Sequence, residues 1–317
     1  MKIGNVECGN LILAPMAGIT DMPFRALCKE QGASFTYTEM ISAKALFYKN
    51  KNTLPLLQVA ENEGPVAVQL FGSEPELLAE EAKKLEDGPY DVFDVNMGCP
   101  VPKVVNNGEG SAVMKDPEKI AQIVSAMTKV LHKPVTIKIR KGFTSDQVNA
   151  VEVAKRAEDA GAAAIAVHGR TRDEYYSGHA DYDIIRQVKE AVSIPVMGSG
   201  DIYSGKDAKR MLDETGCDAV MIARGARGNP WIFREVKHFL ETGEELPKPD
   251  IAEVEEMIFR HTRMLIDFCG EHAAIRQMRK HVGYYVTGYK DATNIRREIN
   301  LCNTFSELEE TLTKWCR

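Results

Sequence analysis

The residue in this chain best suited to chemistry is a cysteine set directly after an apolar strand. In DVNMGCP, Asp94 to Pro100, a run of strand character ends at Met97, and Gly98 and Pro100 break it around Cys99. Free cysteine often serves only as a small buried hydrophobe. At a strand end between glycine and proline it can also face a ligand, where a thiol of pKa ~8.5 stays protonated near neutrality and can donate a proton. Cys8, Cys28, Cys217, Cys269, Cys302 and Cys316 lack such a setting and read as structural.

Other polar residues stand at comparable places. Lys138 alternates with Ile137 and Ile139, so it points inward and must find an anion or lose its charge. Gln69, between Val68 and Leu70, follows the same alternation, although a buried glutamine can simply bond to backbone. His168 closes an alanine-rich strand, where a satisfied core histidine and a catalytic one are equally in keeping with the pattern. Gly198, Ser199 and Gly200 offer backbone donors. Arg224 adds charge, and Gly225, Ala226 and Gly228 precede a helix whose N-terminus favours an anion. The expectation is a phosphorylated ligand.

These residues need a scaffold that gathers strand ends. Apolar runs recur at Leu11 to Met16, Phe35 to Met40, Val66 to Phe71, Asp91 to Met97, Val135 to Arg140, Ala163 to His168, Pro195 to Gly198 and Ala219 to Ala223. Helical patterns separate them, at Glu74 to Leu85, Pro117 to Leu131, Asp146 to Ala160, Tyr182 to Val192 and Ser204 to Asp213, with Ser73, Asp116, Ser145 and Ser204 as candidate caps. Strict alternation of strand and helix predicts an α/β fold, a parallel (β/α)8 barrel of the TIM type, whose active site lies at the C-terminal strand ends. No GxGxxG turn competes with that reading. The stretch from Val101 to Lys115 shows no period and is expected to be a long binding loop.

The strand pattern stops after Leu240. Glu241 to Asp250 reads as a linker, and Ile251 to Cys269 and Leu301 to Cys316 carry helical periodicity. The division expected is a barrel over 1–243 and a small helical domain over 244–317. No run approaches the ~20 apolar residues needed to span a bilayer, and no signal peptide is evident, so the chain reads as cytoplasmic. Seven scattered cysteines form neither a disulfide framework nor a zinc motif, so no metal is expected. The net charge of −6 argues against whole-surface attraction to nucleic acid. Locally, His272 to Arg297 holds Arg276, Arg279, Lys280, Lys290, Arg296 and Arg297 against Asp291 alone, which by itself describes a solvated helical face as well as a binding face.

LAPMAGITDMPFR, VQLFG, DVNMGCPVPKV, IKIRKGF, VHGRTR, GSGDI and ARGARGNPWIF, spread from Leu13 to Phe233, together resemble the tRNA-dihydrouridine synthases, most closely their bacterial B-type branch. The resemblance implies FMN as the phosphorylated ligand, NADPH as reductant and uridine in tRNA as substrate. It implies flavin contacts from Pro15, Met16, Ala17, Gln69, Lys138, His168, Ser199, Gly200, Asp201, Ala223 and Arg224, and Cys99 as general acid. The family commonly has Asn at the position of Ser199 and Gly at that of Ala223. Reduction of the uracil C5–C6 bond adds hydride at C6 and a proton at C5, with Asn96 and Arg170 expected to hold the uracil carbonyls. Arg140 and Arg172 at the barrel mouth, with Arg276 and Arg279, make a tRNA face. The competing readings are an FMN barrel acting on a free pyrimidine, such as a dihydroorotate dehydrogenase, and a tRNA-binding module without catalysis.

Overall fold

The structure is a computed structural model describing residues 1–315; Cys316 lies outside them. Its first two strands, β1 (Lys2–Ile3) and β2 (Val6–Glu7), form a hairpin turned at Gly4. The barrel strands follow as β3 (Leu11–Leu13), β4 (Thr36–Tyr37) with the short β5 (Ile41–Ser42), β6 (Val66–Phe71), β7 (Val92–Met97), β8 (Val135–Gly142), β9 (Ala164–Thr171), β10 (Val196–Ser199) and β11 (Ala219–Ile222). All pairs within this sheet are parallel, in the order β3-β11-β10-β9-β8-β7-β6-β4. A parallel bridge between Ile12 and Phe35, with Leu13 N–H donating to Phe35 O at 3.0 Å, joins the two ends. The eight-stranded (β/α)8 barrel expected from the alternation is thus present.

Around it run α1 (Met22–Glu30), α2 (Ala43–Phe47), α3 (Pro75–Lys84), α4 (Pro102–Val105), α5 (Pro117–Val130), α6 (Ala150–Asp159), α7 (Tyr182–Ala191), α8 (Gly205–Thr215) and α9 (Ile232–Thr242). Asp116 and Ser204 cap α5 and α8 through Lys119 N–H and Asp207 N–H. Ser73 and Ser145 do not cap. Glu74 holds the position before α3, and α6 starts four residues later than expected because Thr144 to Val148 fold back on β8, with Gly142 bridging Val148. A Cβ on Gly142 would stand 2.1 Å from Gln147 O, so that turn requires glycine.

The period of two decides what the barrel encloses. One interior layer is apolar: Ile12, Ala67, Ala166, Met197 and Met221, closed from below by Ile3 and Cys8 of the hairpin region. Two residues further along the same strands come Ala14, Gln69, His168, Ser199 and Ala223, which line a cavity at the mouth. The strand that places Met197 in the plug therefore places Ser199 at the site.

After the coil 244–250, the chain forms α10 (Ile251–Cys269), α11 (Glu271–Tyr285), α12 (Ala292–Ile299) and α13 (Phe305–Trp315). These helices share a core that also takes in Leu27 and Trp231 from the barrel side. Gly228, at φ +63°, lies where a Cβ would meet Tyr284 and Tyr285 backbone at 2.4 Å, so α11 is seated directly on the loop after β11.

Arg25 of α1 and Glu63 form a fully buried pair. Arg25 also donates to Thr20 O at 3.0 Å and Gln58 O at 2.7 Å, while Glu63 accepts from Thr36 Oγ1 at 2.9 Å. Removing one partner would leave an uncompensated buried charge. Arg25→Ala should therefore lose about 3–5 kcal/mol of unfolding free energy in urea titration, whereas a loss below about 1 kcal/mol would show the pair to be dispensable.

Candidate active site

A chain of buried hydrogen bonds crosses three strands to reach Cys99. Thr136 Oγ1 donates to Asp94 Oδ1 at 2.6 Å, and Gln69 Nε2 donates to Asp94 Oδ2 at 2.7 Å. Asn96 Nδ2 donates to Gln69 Oε1 at 2.9 Å, and Asn96 Oδ1 accepts from Gly98 N–H at 3.2 Å and Cys99 N–H at 2.9 Å. Parallel register makes this possible: Gln69 pairs with Asp94, and Asn96 with Lys138. Burial pushes the Asp94 carboxyl up to about 7, against the bonds from Thr136 and Gln69.

The far side of the Cys99 peptide is fixed as well. Ser111 Oγ and N–H donate to Cys99 O at 2.9 and 3.1 Å, and Arg140 Nε donates to Gly98 O at 2.9 Å. Gly110, at φ +59°, has its missing Cβ 2.9 Å from Cys99 O. The segment Val101 to Lys115, expected as a long binding loop without a period, forms α4 and a 3-10 helix (Gly110–Lys115) that buries Val104, Val113 and Met114. Its apolar residues are too closely clustered to show a period. Burial raises the Cys99 thiol, with Arg140 and Lys138 opposing, so it remains protonated at neutral pH.

Cys99 opens into a cavity of about 390 Å³. Pro15, Met16, Ala17, Gln69, Asn96, Lys138, Arg140, His168, Ser199, Gly200, Asp201, Ala223 and Arg224, all singled out in the sequence, line it. The Lys138 ammonium makes no hydrogen bond or ion pair with any described residue; burial and the nearby Arg140 lower it to about 8. His168 is held neutral by burial and by the surrounding cations, and its Nδ1 has no partner among the described residues. Across the mouth, the amides of Gly200, Asp201, Arg224 and Gly225 donate to no described acceptor. This wall suits an anion.

Several expectations change here. Gly198 offers nothing to the cavity; a Cβ there would strike Met211 and Cys217, so it is glycine because α8 packs on β10. Gly225 and Ala226 belong to a 3-10 turn (Arg224–Ala226), and α9 begins only at Ile232, so the anion wall is a loop rather than a helix end. Asn96 spends its carbonyl on the Cys99 loop. Arg140 lines the cavity but is committed to Gly98 O, Thr171 O and Tyr175 O. Arg170 lies behind the cavity, pairing both nitrogens with Asp201 at 2.9 and 2.7 Å and donating to Ser177 O and Gly178 O, so it fixes Asp201 instead of reaching a base. Arg172 packs over the Phe143 and Tyr175 rings outside the cavity. Arg279 holds Cys302 O and Asn303 Oδ1, whereas Arg276 is exposed and unpaired among the described residues.

Sequence reasoning missed Met40, Tyr176, Tyr203 and Arg227, which also line the cavity. Tyr176 carries the Arg224 guanidinium 4.6 Å above its ring and stands edge-on to His168. Its only sequence signal is an aromatic residue in a loop that follows a barrel strand.

Lys138 supplies a pH test with a defined sign. With its pKa depressed to about 8, the charged form dominates below that value and fades above it. Binding of an anionic ligand in the cavity should therefore weaken as pH rises through about 8, and Lys138→Met should remove that dependence. Isothermal titration at about pH 6.5 and about pH 9.5, on either side of that pKa, checks it; a flat profile in the unaltered protein would contradict the assignment.

The family model described as "Dihydrouridine synthase (Dus)" matches residues 12–316. The chain is 45% identical to the tRNA-dihydrouridine synthase B of Xanthomonas axonopodis pv. citri, covering 96% of this chain and 92% of that protein. It is 45% identical to its counterpart in Pseudomonas aeruginosa over 95% and 91%, and 43% identical to that of Proteus vulgaris over 98% and 97%. Among solved structures, the nitroalkane oxidase of Streptomyces ansochromogenes aligns at TM-score 0.40 and 22% identity over 68% of this chain and 65% of that one, too distant to bear on function. The fold, the mouth residues and the length of these matches lead to one assignment: the chain belongs to the dihydrouridine synthase family.

Proposed function

We propose that the protein reduces the C5–C6 double bond of uridines in tRNA, with FMN held at the barrel mouth, NADPH as reductant and Cys99 as proton donor. What carries this reading is that a cation without a described protein partner, a wall of free amides and a fixed protonated thiol share one cavity. The fit to FMN rests on the same features: Lys138 for negative charge on the isoalloxazine, and the Gly200–Asp201 and Arg224–Gly225 amides for phosphate. FMN, when bound, supplies hydride to carbon 6 of the uracil ring.

The protein's own residues do the rest. Cys99 delivers its proton to carbon 5, and the thiolate left behind faces Lys138 and Arg140, both of which favour it. Rigid backbone bonds through Asn96 and Ser111 keep the sulfur from drifting during that transfer. His168, neutral and with an open ring nitrogen, can bond a uracil carbonyl without adding charge. The target base must leave its stack at a cost of a few kcal/mol, which phosphate contacts offset. A cationic stripe beside the mouth can make those contacts. Arg276 and Lys280 lie one turn apart on α11, Lys280 donates to Gly18 O, and Arg227 stacks on Tyr284.

Two measurements test this. Protein isolated without added cofactor should be yellow and, with NADPH, should form dihydrouridine in unmodified tRNA but not reduce free uridine or orotate; reduction of the free pyrimidine would favour the dehydrogenase reading. Arg276→Glu with Arg297→Glu, both exposed positions, should weaken tRNA binding at least about tenfold and flatten its salt dependence while leaving flavin content unchanged. Unaltered tRNA affinity would remove α11 from the interface.

A further inference from the structure

Away from the cavity, three metal-ligating side chains meet where the barrel joins the helical extension. Asp21, the N-cap of α1, His261 of α10 and His281 of α11 are all buried, and one ligand atom from each lies within 4.8 Å of the others. Asp21 Oδ1 accepts from Phe24 N–H at 2.9 Å, but Oδ2 has no partner among the described residues. His261 Nε2 and both ring nitrogens of His281 are equally without described partners. Three of these orphaned atoms, one from each residue, meet in one buried spot, which is costly unless something joins them.

A proton cannot join them all. His281 Nε2 stands 4.0 Å from Asp21 Oδ2, too far for a hydrogen bond. His261 Nδ1 lies 3.2 Å from Tyr285 Oη; with that nitrogen donating to the phenol oxygen, Nε2 presents a lone pair to the cluster, the arrangement that orients metal-bound imidazoles. Phe24 packs against both imidazoles, with centroids 5.6 and 5.9 Å away. Donor atoms of Asp21, His261 and His281 thus lie within 4.8 Å of one another, and a divalent cation is the species that accepts several lone pairs at once.

We propose that Asp21, His261 and His281 form a structural zinc site that ties the start of α1 to α10 and α11. Two imidazoles and one carboxylate, with a water as fourth ligand, suit Zn²⁺, whose ligand distances of about 2.0–2.2 Å require the three donors to draw in from their present separations of up to 4.8 Å. The same donor set holds iron in oxygenases, but those sites open onto a cavity that admits substrate and oxygen. This cluster lines no part of the cavity and is closed by Phe24 and Tyr285. No zinc spacing is visible in the sequence because the donors, residues 21, 261 and 281, come from three separate helices and meet only through the tertiary fold.

The test uses the untagged full chain, produced in zinc-replete medium and, separately, refolded with Zn²⁺ or Co²⁺. Elemental analysis should find close to one zinc per chain. Co²⁺ should give tetrahedral ligand-field bands to the red of any flavin absorbance, and strong chelation should lower the thermal midpoint by roughly 5 °C or more. Asp21→Asn and His281→Gln should each lose the metal. The proposal is overturned if the unaltered protein holds no zinc after either route and its midpoint ignores both zinc and chelator, or if both variants keep full metal content. Should the variants fail to fold, the metal content and cobalt spectrum of the unaltered protein decide.

Discussion

One buried hydrogen-bonded chain, from Thr136 through Asp94, Gln69 and Asn96 to the Cys99 amide, sets where the thiol can be. Its links pass between neighbouring strands, so the position of Cys99 is a property of the barrel itself. Asp94 is the anchor. Its two carboxylate oxygens accept from Thr136 and Gln69, and leaving such buried partners unmatched would cost about 1–3 kcal/mol each. Ser111 and Arg140 complete the clamp from the other face, and that clamp explains why residues 101–115 pack down instead of standing open as a lid.

Electrostatics at the mouth follow from the same geometry. Arg170 and Arg224 share the single carboxylate of Asp201, and Arg140 is engaged by backbone carbonyls. Lys138 is a buried cation left to a ligand, without an ion pair among the described residues. Burial lowers the one pKa and raises the other, yet at neutral pH both groups hold their protons, Lys138 as a cation that an anion can pair with and Cys99 as a neutral thiol. A site with these two groups side by side can bind negative charge and supply a proton within one cavity.

Much of this can be read from the sequence, for a definite reason. Period-two alternation assigns inward positions to Gln69, Lys138, His168 and Ser199, and glycine breaks mark where strands end, so eight strands and most of the mouth follow directly. What cannot be read depends on partners distant in the chain. Arg170 looks like a free cation until Asp201 closes on it, and Asn96 looks like a substrate contact until its carbonyl proves to hold Cys99. Gly198 resembles a phosphate-loop glycine but is dictated by Met211 and Cys217 on its outer side. Tyr176, in an irregular segment, carries no periodic signal at all.

The helical extension is not a separate appendage in physical terms, since Leu27 and Trp231 share its core and Gly228 admits α11 to the barrel loop. That junction brings Lys280 of α11 against the Gly18 carbonyl beside the mouth, where a polynucleotide would have to lie for one of its bases to enter. The proposed chemistry nevertheless turns on Cys99. The most direct measurement is single-turnover reduction of tRNA uridine by pre-reduced protein, comparing Cys99→Ala with the unaltered enzyme. With Cys99 as proton donor, dihydrouridine formation should fall about 10²–10⁴-fold while reduction of the flavin by NADPH stays unchanged; equal rates of dihydrouridine formation would contradict that role.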